Sequence, residues 1–188
     1  MSINKAFSHD CIILDACCII NLFASQQMRA ILETIPKSLS VAAYVKDYEV
    51  LSVYSGPIDN IQEASEIIDL QPFVDQKLLL LVDIENEIEE NTYISFAERL
   101  DDGEAITGAI AINRNWAIAT DDLKSVKLFK SKAPHIALVS TLDLLKYWVD
   151  TQKPSEDIIR ETLLNIRVRG KYEPHKDHPL IKWWQKFR

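Results

Sequence analysis

The sequence predicts an α/β fold with a mostly parallel central sheet. Short apolar segments rich in β-branched residues alternate with longer segments whose apolar residues recur at helical spacing. Two of the best strand candidates, which end at Asp15 and Thr120, place acidic residues at their carboxyl ends. Ligands of parallel sheets bind beyond the carboxyl ends of the strands, so this edge is where we expect a functional site.

The first half of the chain contains three strand candidates that alternate with helical segments. Pro36 ends the second helical segment, and Gly56 with Pro57 marks a turn. The third strand candidate includes the apolar run 78–82, which suits a buried strand. The predicted strands cover residues 11–15, 38–41 and 77–84, and the predicted helices cover residues 17–24, 26–35, 43–53, 62–68 and 85–100.

The second half continues the alternation of strands and helices. A helix opens at Asp101, Asp102 and Gly103, where acidic residues favour a helix N-terminus by capping and by the helix dipole. Ser140 or Thr141 caps a later helix. The predicted strands cover residues 116–120 and 135–139, and the predicted helices include residues 123–130, a segment that reaches 149, and 156–166.

The length of 188 residues suits one domain with a short addition. We expect an α/β domain over residues 1–150 and a C-terminal helical extension over residues 151–188, rich in basic and aromatic residues and packed on the domain. Hydrophobic residues make up 47% of the chain and charged residues 26%, a composition typical of globular proteins rather than disordered ones.

Charge is unevenly distributed between these two parts. Residues 1–150 contain 12 Lys and Arg against 23 Asp and Glu, a net of −11, whereas residues 151–188 contain 9 against 5, a net of +4. An acidic body is unusual for a nonspecific nucleic-acid binder but is expected of a pocket that collects divalent cations. The basic extension could contact phosphates or pair with the acidic body, and composition leaves both open.

No apolar run approaches the roughly 20 residues that a membrane span needs. The N-terminus lacks the basic and then apolar order of a signal peptide, so we expect a cytoplasmic protein without a membrane partner. The three cysteines, Cys11, Cys17 and Cys18, form neither a disulfide framework nor a set with zinc-ligand spacing. We expect them to be small buried hydrophobic residues.

Acidic residues from three separate segments are the candidate metal ligands. Converging carboxylate oxygens suit hard cations such as Mg²⁺ or Mn²⁺, which activate water for hydrolysis of phosphodiesters. Each residue also has a structural explanation, because Asp15 and either member of the Asp121-Asp122 pair could cap a helix, and Glu104 could favour a helix N-terminus. The candidates are Asp15, Glu104, Asp121 and Asp122.

Several segments together resemble the PIN-domain family. Residues 12–22 (IILDACCIINL) are similar to its opening, a strand that ends in Asp followed by a helix with Asn six residues later. Residues 100–111 (LDDGEAITGAIA) and 116–124 (WAIATDDLK) resemble its second half, a Gly-Glu-Ala helix and then a strand that ends in Thr-Asp-Asp. The order and separation of these parts match over about residues 10–145, including the segment 140–145 after the last strand.

The resemblance implies a three-layer α/β/α sandwich and a metal-dependent ribonuclease. It implies metal ligation by Asp15, Glu104 and Asp122, with Asp121 as a neighbour or substitute ligand. The family usually adds a fourth acid after the second strand, where Asp47 and Glu49 both lie, and we favour Glu49 because it precedes two apolar residues. The expected catalytic residues are thus Asp15, Glu49, Glu104 and Asp122, while Asn21 would support the first Asp and Thr120 would orient the last acid.

One departure from the family pattern concerns Cys17. The family often has Ser or Thr two residues after the first Asp, and a Cys replaces that hydroxyl poorly as a hydrogen-bond partner. A second interpretation is therefore a catalytically silent PIN-fold module that binds or scaffolds a protein or RNA complex. Phosphatases of the haloacid dehalogenase type would need a second Asp at position 17, and phosphoacceptor receiver domains would need an acidic pair near Asp15, so both are disfavoured.

The C-terminal extension interleaves basic and aromatic residues, a pattern that RNA-binding segments use for phosphate contacts and base stacking. We expect the tryptophans to dock on the domain, and the bases either contact RNA or are solvated. For a ribonuclease that is the toxin of a toxin–antitoxin pair, a protein antitoxin and a homodimer are the further partners to expect. The candidate RNA-binding residues are Arg167, Arg169 and Lys171.

Overall fold

A five-stranded parallel sheet forms the centre of the computed structural model, which describes residues 2–49, 51–55 and 65–187. The sheet is flanked by helices, so the predicted three-layer α/β/α class is confirmed. From one edge to the other, the strands are β5 (Leu80–Val82), β2 (Ser38–Ala42), β1 (Cys11–Leu14), β6 (Ala117–Ala119) and β7 (Leu138–Val139).

The central strands form because their sequences are apolar on both faces. Every residue of β1 and β6 is buried, which is the pattern of strands covered by helices on both sides. Ile13 of β1 aligns with Ser40 of β2 and with Ile118 of β6. This register brings the residues that follow β1 and β6 to the same edge of the sheet.

The helices mostly begin at polar caps. Asp15, Asn86, Asp101, Asp122 and Ser155 each accept a hydrogen bond from a backbone N–H in the first turn of the helix that follows. The helices are α1 (Ser2–Ala6), α2 (Ala16–Ala24), α3 (Met28–Thr34), α4 (Ala43–Tyr48), α5 (Gln71–Asp75), α6 (Glu87–Ala97), α7 (Asp102–Arg114), α8 (Leu123–Lys132), α9 (Thr141–Gln152), α10 (Glu156–Arg169) and α11 (Ile181–Phe187).

Two predicted helices are wrong in part because a hairpin replaces them. The predicted helix 43–53 ends at Tyr48, and β3 (Ser52–Tyr54) follows, with Val53 buried between two half-exposed neighbours. The predicted helix 62–68 contains β4 (Ser65–Ile67), which pairs antiparallel with β3, and residues 62–64 lie outside the described residues, as does the predicted turn at 56–57. Alternating burial has a period of two and so favours a strand over a helix.

The third predicted strand is shorter and more exposed than its sequence suggests. Within 77–84 only Leu80–Val82 are in strand conformation, and Leu80 and Leu81 are 42% and 41% exposed. The strand pairs only with β2, so it lies at the edge of the sheet. The prediction of a buried strand is therefore wrong, because an apolar run reports burial only where helices cover both faces.

The C-terminal segment packs along the side of the sheet that carries α2. Helix α10 lies against α2, and Trp184 and Phe187 of α11 are buried, whereas Trp183 is half-buried. Between these helices, His178 hydrogen-bonds through Nε2 to the Ser140 hydroxyl at 3.0 Å. None of the helices within the described ranges is long and apolar enough to cross a membrane.

Candidate functional site

Acidic side chains from four segments meet at the carboxyl edge of the sheet. They follow β1, follow α4 after β2, begin α7 and follow β6. The charge of each member either shifts the pKa of another member or, for Glu49, is itself influenced by three of them, so they share one region. We call this group the acidic site, and it consists of Asp15, Glu49, Asp101, Glu104 and Asp122.

Asp15 is the most buried member of the acidic site, with 4% of its surface exposed. Its Oδ1 accepts from the backbone N–H of Ala16 at 2.9 Å, and its Oδ2 accepts from the Thr120 hydroxyl at 2.8 Å. The Cys17 thiol donates to the same Oδ2 at 3.4 Å. Burial raises the pKa of Asp15, and these hydrogen bonds oppose that rise. Asp15 is thus both a helix cap and a rigidly held carboxylate.

Glu49 and Glu104 are the most electrostatically perturbed members. Burial, followed by the charges of Asp15, Asp101 and Glu104, raises the pKa of Glu49 from 4.5 to about 7. The same cause, followed by the charges of Asp101, Asp122 and Asp15, raises the pKa of Glu104 to about 7. All these charged neighbours are acids. A cation would relieve this repulsion between the half-buried carboxylates. The residues whose charges shift the pKa values of Glu49 and Glu104 include no basic side chain.

Gly103 makes room for the carboxylate of Glu49. A Cβ atom at this position would lie 1.5 Å from Glu49 Oε1 and 2.7 Å from its Cδ. The first turn of α7 therefore lies directly against the carboxylate of Glu49, the residue that follows α4. The C-terminal end of α4 and the N-terminal end of α7 thus contact each other through this side chain. The other candidate for the fourth acid, Asp47, is exposed and pairs with Lys46 at 3.1 Å, away from these contacts.

Asp101 is a member of the acidic site that sequence reasoning missed. It caps α7 by accepting from the N–H of Glu104 at 2.8 Å, and its charge acts on Asp15, Glu49 and Glu104. Its position next to the Gly-Glu-Ala segment is the sequence feature that could have indicated membership of the site. By itself, however, that pattern predicts only the start of a helix. Its neighbour Asp102 instead accepts hydrogen bonds from two tyrosine hydroxyls.

Asp122 caps α8 and also faces Glu104. Its Oδ1 accepts from the N–H of Ser125 at 2.7 Å, and its charge raises the pKa of Glu104. The buried Ser125 hydroxyl lies near enough to Glu104 to lower its pKa, against the effect of burial and of the acids. Asp122 and Ser125 therefore both influence the Glu104 carboxylate.

Asp121 has a different environment from its neighbour. Its carboxylate accepts from Asn21 Nδ2 at 3.0 Å, from the N–H of Thr141 at 3.0 Å, from the Thr141 hydroxyl and from the Tyr172 hydroxyl at 3.2 Å. The Cys18 thiol is a further, weak donor at 3.7 Å. These donors fill most of the capacity of one carboxylate, so Asp121 fastens α2, α9 and the C-terminal segment together.

Of the two supporting residues, Asn21 acts on a different acid from the one expected, and Thr120 contacts Asp15 in addition to Asp122. Asn21 was expected to support Asp15, but its amide donates to Asp121. Thr120 was expected to orient the last acid, but its hydroxyl donates to Asp15 and accepts from the backbone N–H of Asp122 at 3.2 Å. The reason is geometric, because Asn21 lies a turn and a half beyond Asp15 on α2 and faces the end of β6.

Cys17, Cys18 and Asp121 form a second group that could hold a metal ion. Their ligand atoms lie within 4.8 Å of one another, and they are the only set of three His, Cys, Asp or Glu residues to do so within the described ranges. Burial raises the pKa of the Cys18 thiol well above its usual value, which disfavours the thiolate that binds metals. A cysteine-containing group is also not specific for Mg²⁺ or Mn²⁺.

Two of the three candidate RNA-binding residues, Arg169 and Lys171, contact the body of the protein. Arg169 Nη2 lies 2.5 Å from Glu66 Oε2, and Lys171 Nζ lies 3.6 Å from the centroid of the Tyr54 ring. Both contacts connect the C-terminal segment to the hairpin of β3 and β4. Arg167 borders a small apolar groove beside Trp184. Two basic residues of the C-terminal segment thus contact the rest of the protein, which is one of the two roles that the composition left open.

A cleft of about 760 Å³ opens beside the acidic site. Its walls come from the ends of β6 and β7, from α2 and α8, and from residues 170–179 of the C-terminal segment. Thr120 and Asp122 line it together with the apolar side chains of Ile20, Leu123 and Leu138. Leu123 is 51% exposed, so the cleft offers an apolar surface directly next to Asp122.

Comparison with known proteins identifies no relative. No protein-family model matches the chain, and neither a curated protein nor a solved structure matches it. The assignment of function therefore depends on the geometry and chemistry of the acidic site.

Proposed function

We propose that this protein is a metal-dependent ribonuclease of the PIN type, in which the acidic site binds Mg²⁺ or Mn²⁺. The observation that carries the proposal is the gathering of the buried or half-buried carboxylates of Asp15, Glu49, Glu104 and Asp122 at one edge of the sheet, with Glu49 directly against the first turn of α7. In keeping with this, burial and acidic neighbours raise the pKa values of Glu49 and Glu104 to about 7. Several carboxylates held together without a cation are costly, and such sites are characteristic of function rather than of folding. The sequence resemblance to PIN domains supports the same conclusion.

The ligand chemistry of the acidic site suits a hard divalent cation, although within the described residues no three of its carboxylates have oxygen atoms that all lie within 4.8 Å of one another. All five contribute carboxylate oxygens, the ligand type that Mg²⁺ and Mn²⁺ prefer. Their position at the carboxyl edge of a parallel sheet is the usual place for a ligand.

The chain's own groups have separable roles in this proposal. Asp15 is oriented by the Thr120 hydroxyl and the N–H of Ala16, and its Oδ1, which accepts a single hydrogen bond within the described residues, retains a lone pair for a cation. Glu49 and Glu104 lose their protons when the cation binds, since it stabilises the charged form. A bound Mg²⁺ or Mn²⁺ would supply an acidified water and stabilise the charge on the scissile phosphate.

A cleavage assay tests the proposal. Labelled structured and single-stranded RNAs are incubated with the protein and Mn²⁺, Mg²⁺ or EDTA, and with two variants. Asp15→Asn keeps an oxygen that caps α2, turns an NH₂ group toward the Thr120 hydroxyl, which accepts as well as donates, and removes the charge, so we expect it to fold and lose activity. We expect a loss of more than the roughly 10- to 100-fold that an outer-shell change costs.

Asp47→Asn is the matched control, because it removes one acidic charge from the same part of the chain but at an exposed position paired with Lys46. It should cleave as the wild type does. Absence of cleavage with every RNA, together with no binding of Mn²⁺ in calorimetry, would refute the nuclease proposal. Binding of Mn²⁺ that Asp15→Asn does not weaken would refute the assignment of the site.

The second candidate is a catalytically silent PIN-fold module that binds a protein or RNA partner. It is favoured by one observation, since Asp15, Asp101 and Asp122 all cap helices and so have a structural role without any metal. This candidate predicts no metal-dependent cleavage and no weakening of Mn²⁺ binding in Asp15→Asn. An antitoxin partner and a homodimer stay predictions of the ribonuclease proposal.

A further inference from the structure

Two stacked tyrosines lie on α4, next to the acidic site. The rings of Tyr44 and Tyr48 have centroids 5.1 Å apart and an interplanar angle of 29°. The residues are four positions apart on one helix, the spacing at which side chains meet. Tyr48 is followed directly by Glu49, so the tyrosine stack ends at the acid whose carboxylate lies against Gly103.

The inner ring of the stack is held in place. The Tyr44 hydroxyl donates to Asp102 Oδ2 at 3.2 Å, and the Tyr93 hydroxyl donates to Asp102 Oδ1 at 2.9 Å. Asp102 therefore fixes Tyr44 through its hydroxyl, while the half-buried ring remains against Tyr48. A ring fixed in advance loses little conformational entropy when a ligand stacks on it or on its neighbour.

The outer ring is exposed, unlike other aromatic side chains of the protein. Tyr48 is 76% exposed, and it is the only exposed Phe, Tyr or Trp in the part of the chain that the structure describes. Tyr54 by contrast has Lys171 over its ring, and Tyr172 is hydrogen-bonded to Asp121. With one face on Tyr44, the ring of Tyr48 presents its other face to solvent.

We propose that Tyr44 and Tyr48 form a stacking platform for one unpaired base of single-stranded RNA, next to the phosphate held at the acidic site. This rests on the proposed function, because the acidic site supplies the phosphate's position. Stacking on an exposed aromatic ring is how proteins bind single-stranded nucleic acid with little dependence on sequence. A base within a duplex is already stacked on both faces, so the platform selects single strands.

Anisotropy of a fluorescein-labelled RNA tests the platform. The probe is a ten-nucleotide single strand of mixed sequence, in buffer with Ca²⁺ to bridge acid and phosphate without cleavage. Tyr48→Ala should weaken binding by about fivefold or more, which is what loss of one base–aromatic stack costs, whereas Tyr48→Phe should bind as the wild type does. The matched control is Ile67→Ala, which truncates a side chain that is also 76% exposed but lies on β4.

Equal binding by Tyr48→Ala and the wild type would overturn the platform, as would absence of binding by the wild type. Equal weakening by Tyr48→Phe and Tyr48→Ala would also overturn it, because the hydroxyl rather than the ring would be responsible. Cleavage in Mn²⁺ is measured on the same proteins to separate the two proposals. Cleavage by the wild type that Tyr48→Ala leaves unchanged, with unchanged binding, would refute the platform alone. Weakened binding by Tyr48→Ala, with no cleavage of any RNA and no Mn²⁺ binding by the wild type, would refute the nuclease alone.

Discussion

Asp121 and Glu104 are both acids at the same edge of the sheet, but their surroundings differ. Asp121 accepts hydrogen bonds from Asn21, from the N–H and hydroxyl of Thr141 and from Tyr172. Glu104 has acids as its charged neighbours, which with burial raise its pKa to about 7. The first carboxylate has its charge compensated by the fold, and the second does not.

The difference shows that proximity to a site is a poor guide to an acid's role. A carboxylate saturated by donors stabilises the fold and has little capacity left for a cation. A carboxylate that faces other carboxylates destabilises the fold until a cation arrives. Asp121 and Asp122 are consecutive residues, yet Asp121 belongs to the first class and Asp122, through its effect on Glu104, to the second.

The largest expected effect is loss of stability in Asp121→Ala. The change leaves Asn21, Thr141 and Tyr172 without their acceptor, so we expect the free energy of unfolding to fall by about 3 kcal/mol or more. Glu104→Gln should show no such loss in EDTA, because it removes a repelled charge. Urea unfolding of both variants measures the difference, and equal destabilisation would contradict the division of the acids into two classes.

The next effect is a pH dependence of stability in EDTA. The pKa values of Glu49 and Glu104 are raised in the fold from 4.5 to about 7, so protonation favours the folded state. The stabilisation is present in full below about pH 4.5 and is lost as the pH rises through about 7. Since both groups are half-buried and solvent screens their repulsion, we expect a loss of the order of 1 kcal/mol for each.

Urea unfolding at about pH 5 and about pH 8, with and without Mn²⁺, measures this dependence. Glu104→Gln should flatten the decline in EDTA, and Mn²⁺ should restore stability at the higher pH in the wild type only. A stability that rises through neutral pH in EDTA would mean that these carboxylates have compensating partners after all.

A smaller effect, on Mn²⁺ binding, distinguishes a glycine beside the acidic site from a glycine in the core. In Gly103→Ala the new Cβ would lie 1.5 Å from Glu49 Oε1, so the carboxylate must move. We expect about tenfold weaker Mn²⁺ binding, comparable to loss of an outer-shell contact, with little loss of stability because Ala favours the helix. Calorimetric titration measures the binding.

Gly108→Ala is the matched control in the same helix. There the Cβ would lie 2.4 Å from Phe129 Cε1, in the core, so stability should fall while Mn²⁺ binding by the folded protein stays unchanged. If Gly103→Ala binds Mn²⁺ as the wild type does, then the Glu49 carboxylate is not part of the cation site.

The smallest expected effect concerns one of the bonds to Asp121. Tyr172→Phe removes a hydroxyl that donates to Asp121 at 3.2 Å but keeps the ring that packs edge-on to Trp184. Because the other donors remain, we expect a loss of only about 1 kcal/mol in urea unfolding. A loss as large as that of Asp121→Ala would show that Tyr172, rather than the network as a whole, holds the acid.

The sequence predicts the central strands and the position of the acids well, because both depend on local patterns. The continuous apolar run of β1 and the Asp15 that follows it are visible in consecutive residues. The choice of Glu49 over Asp47 places the acid that lies against Gly103 in the predicted set. The sequence indicates only a helix-capping role for Asp101. Its second role is not visible there, because its charge acts on Asp15, which lies in a distant segment of the chain.

The remaining features depend on contacts between distant parts of the chain. Asn21 donates to a residue 100 positions away, and Thr120 to one 105 positions away, so no local spacing shows which acid each supports. The exposure of Leu80 and Leu81 follows from the strand order, which local hydrophobicity does not determine. Arg169 has its partner Glu66 on the hairpin that was predicted as a helix.

Titration of the wild type and Glu104→Gln with Mn²⁺ at about pH 8 and about pH 6 tests the cation site most directly. We predict binding by the wild type that weakens at the lower pH, as the two carboxyl groups with pKa values of about 7 take up protons. Glu104→Gln should bind at least about tenfold more weakly, and Cys17→Ser should bind as the wild type does. Binding that Glu104→Gln leaves intact and Cys17→Ser abolishes would move the metal to Cys17, Cys18 and Asp121 and contradict the account.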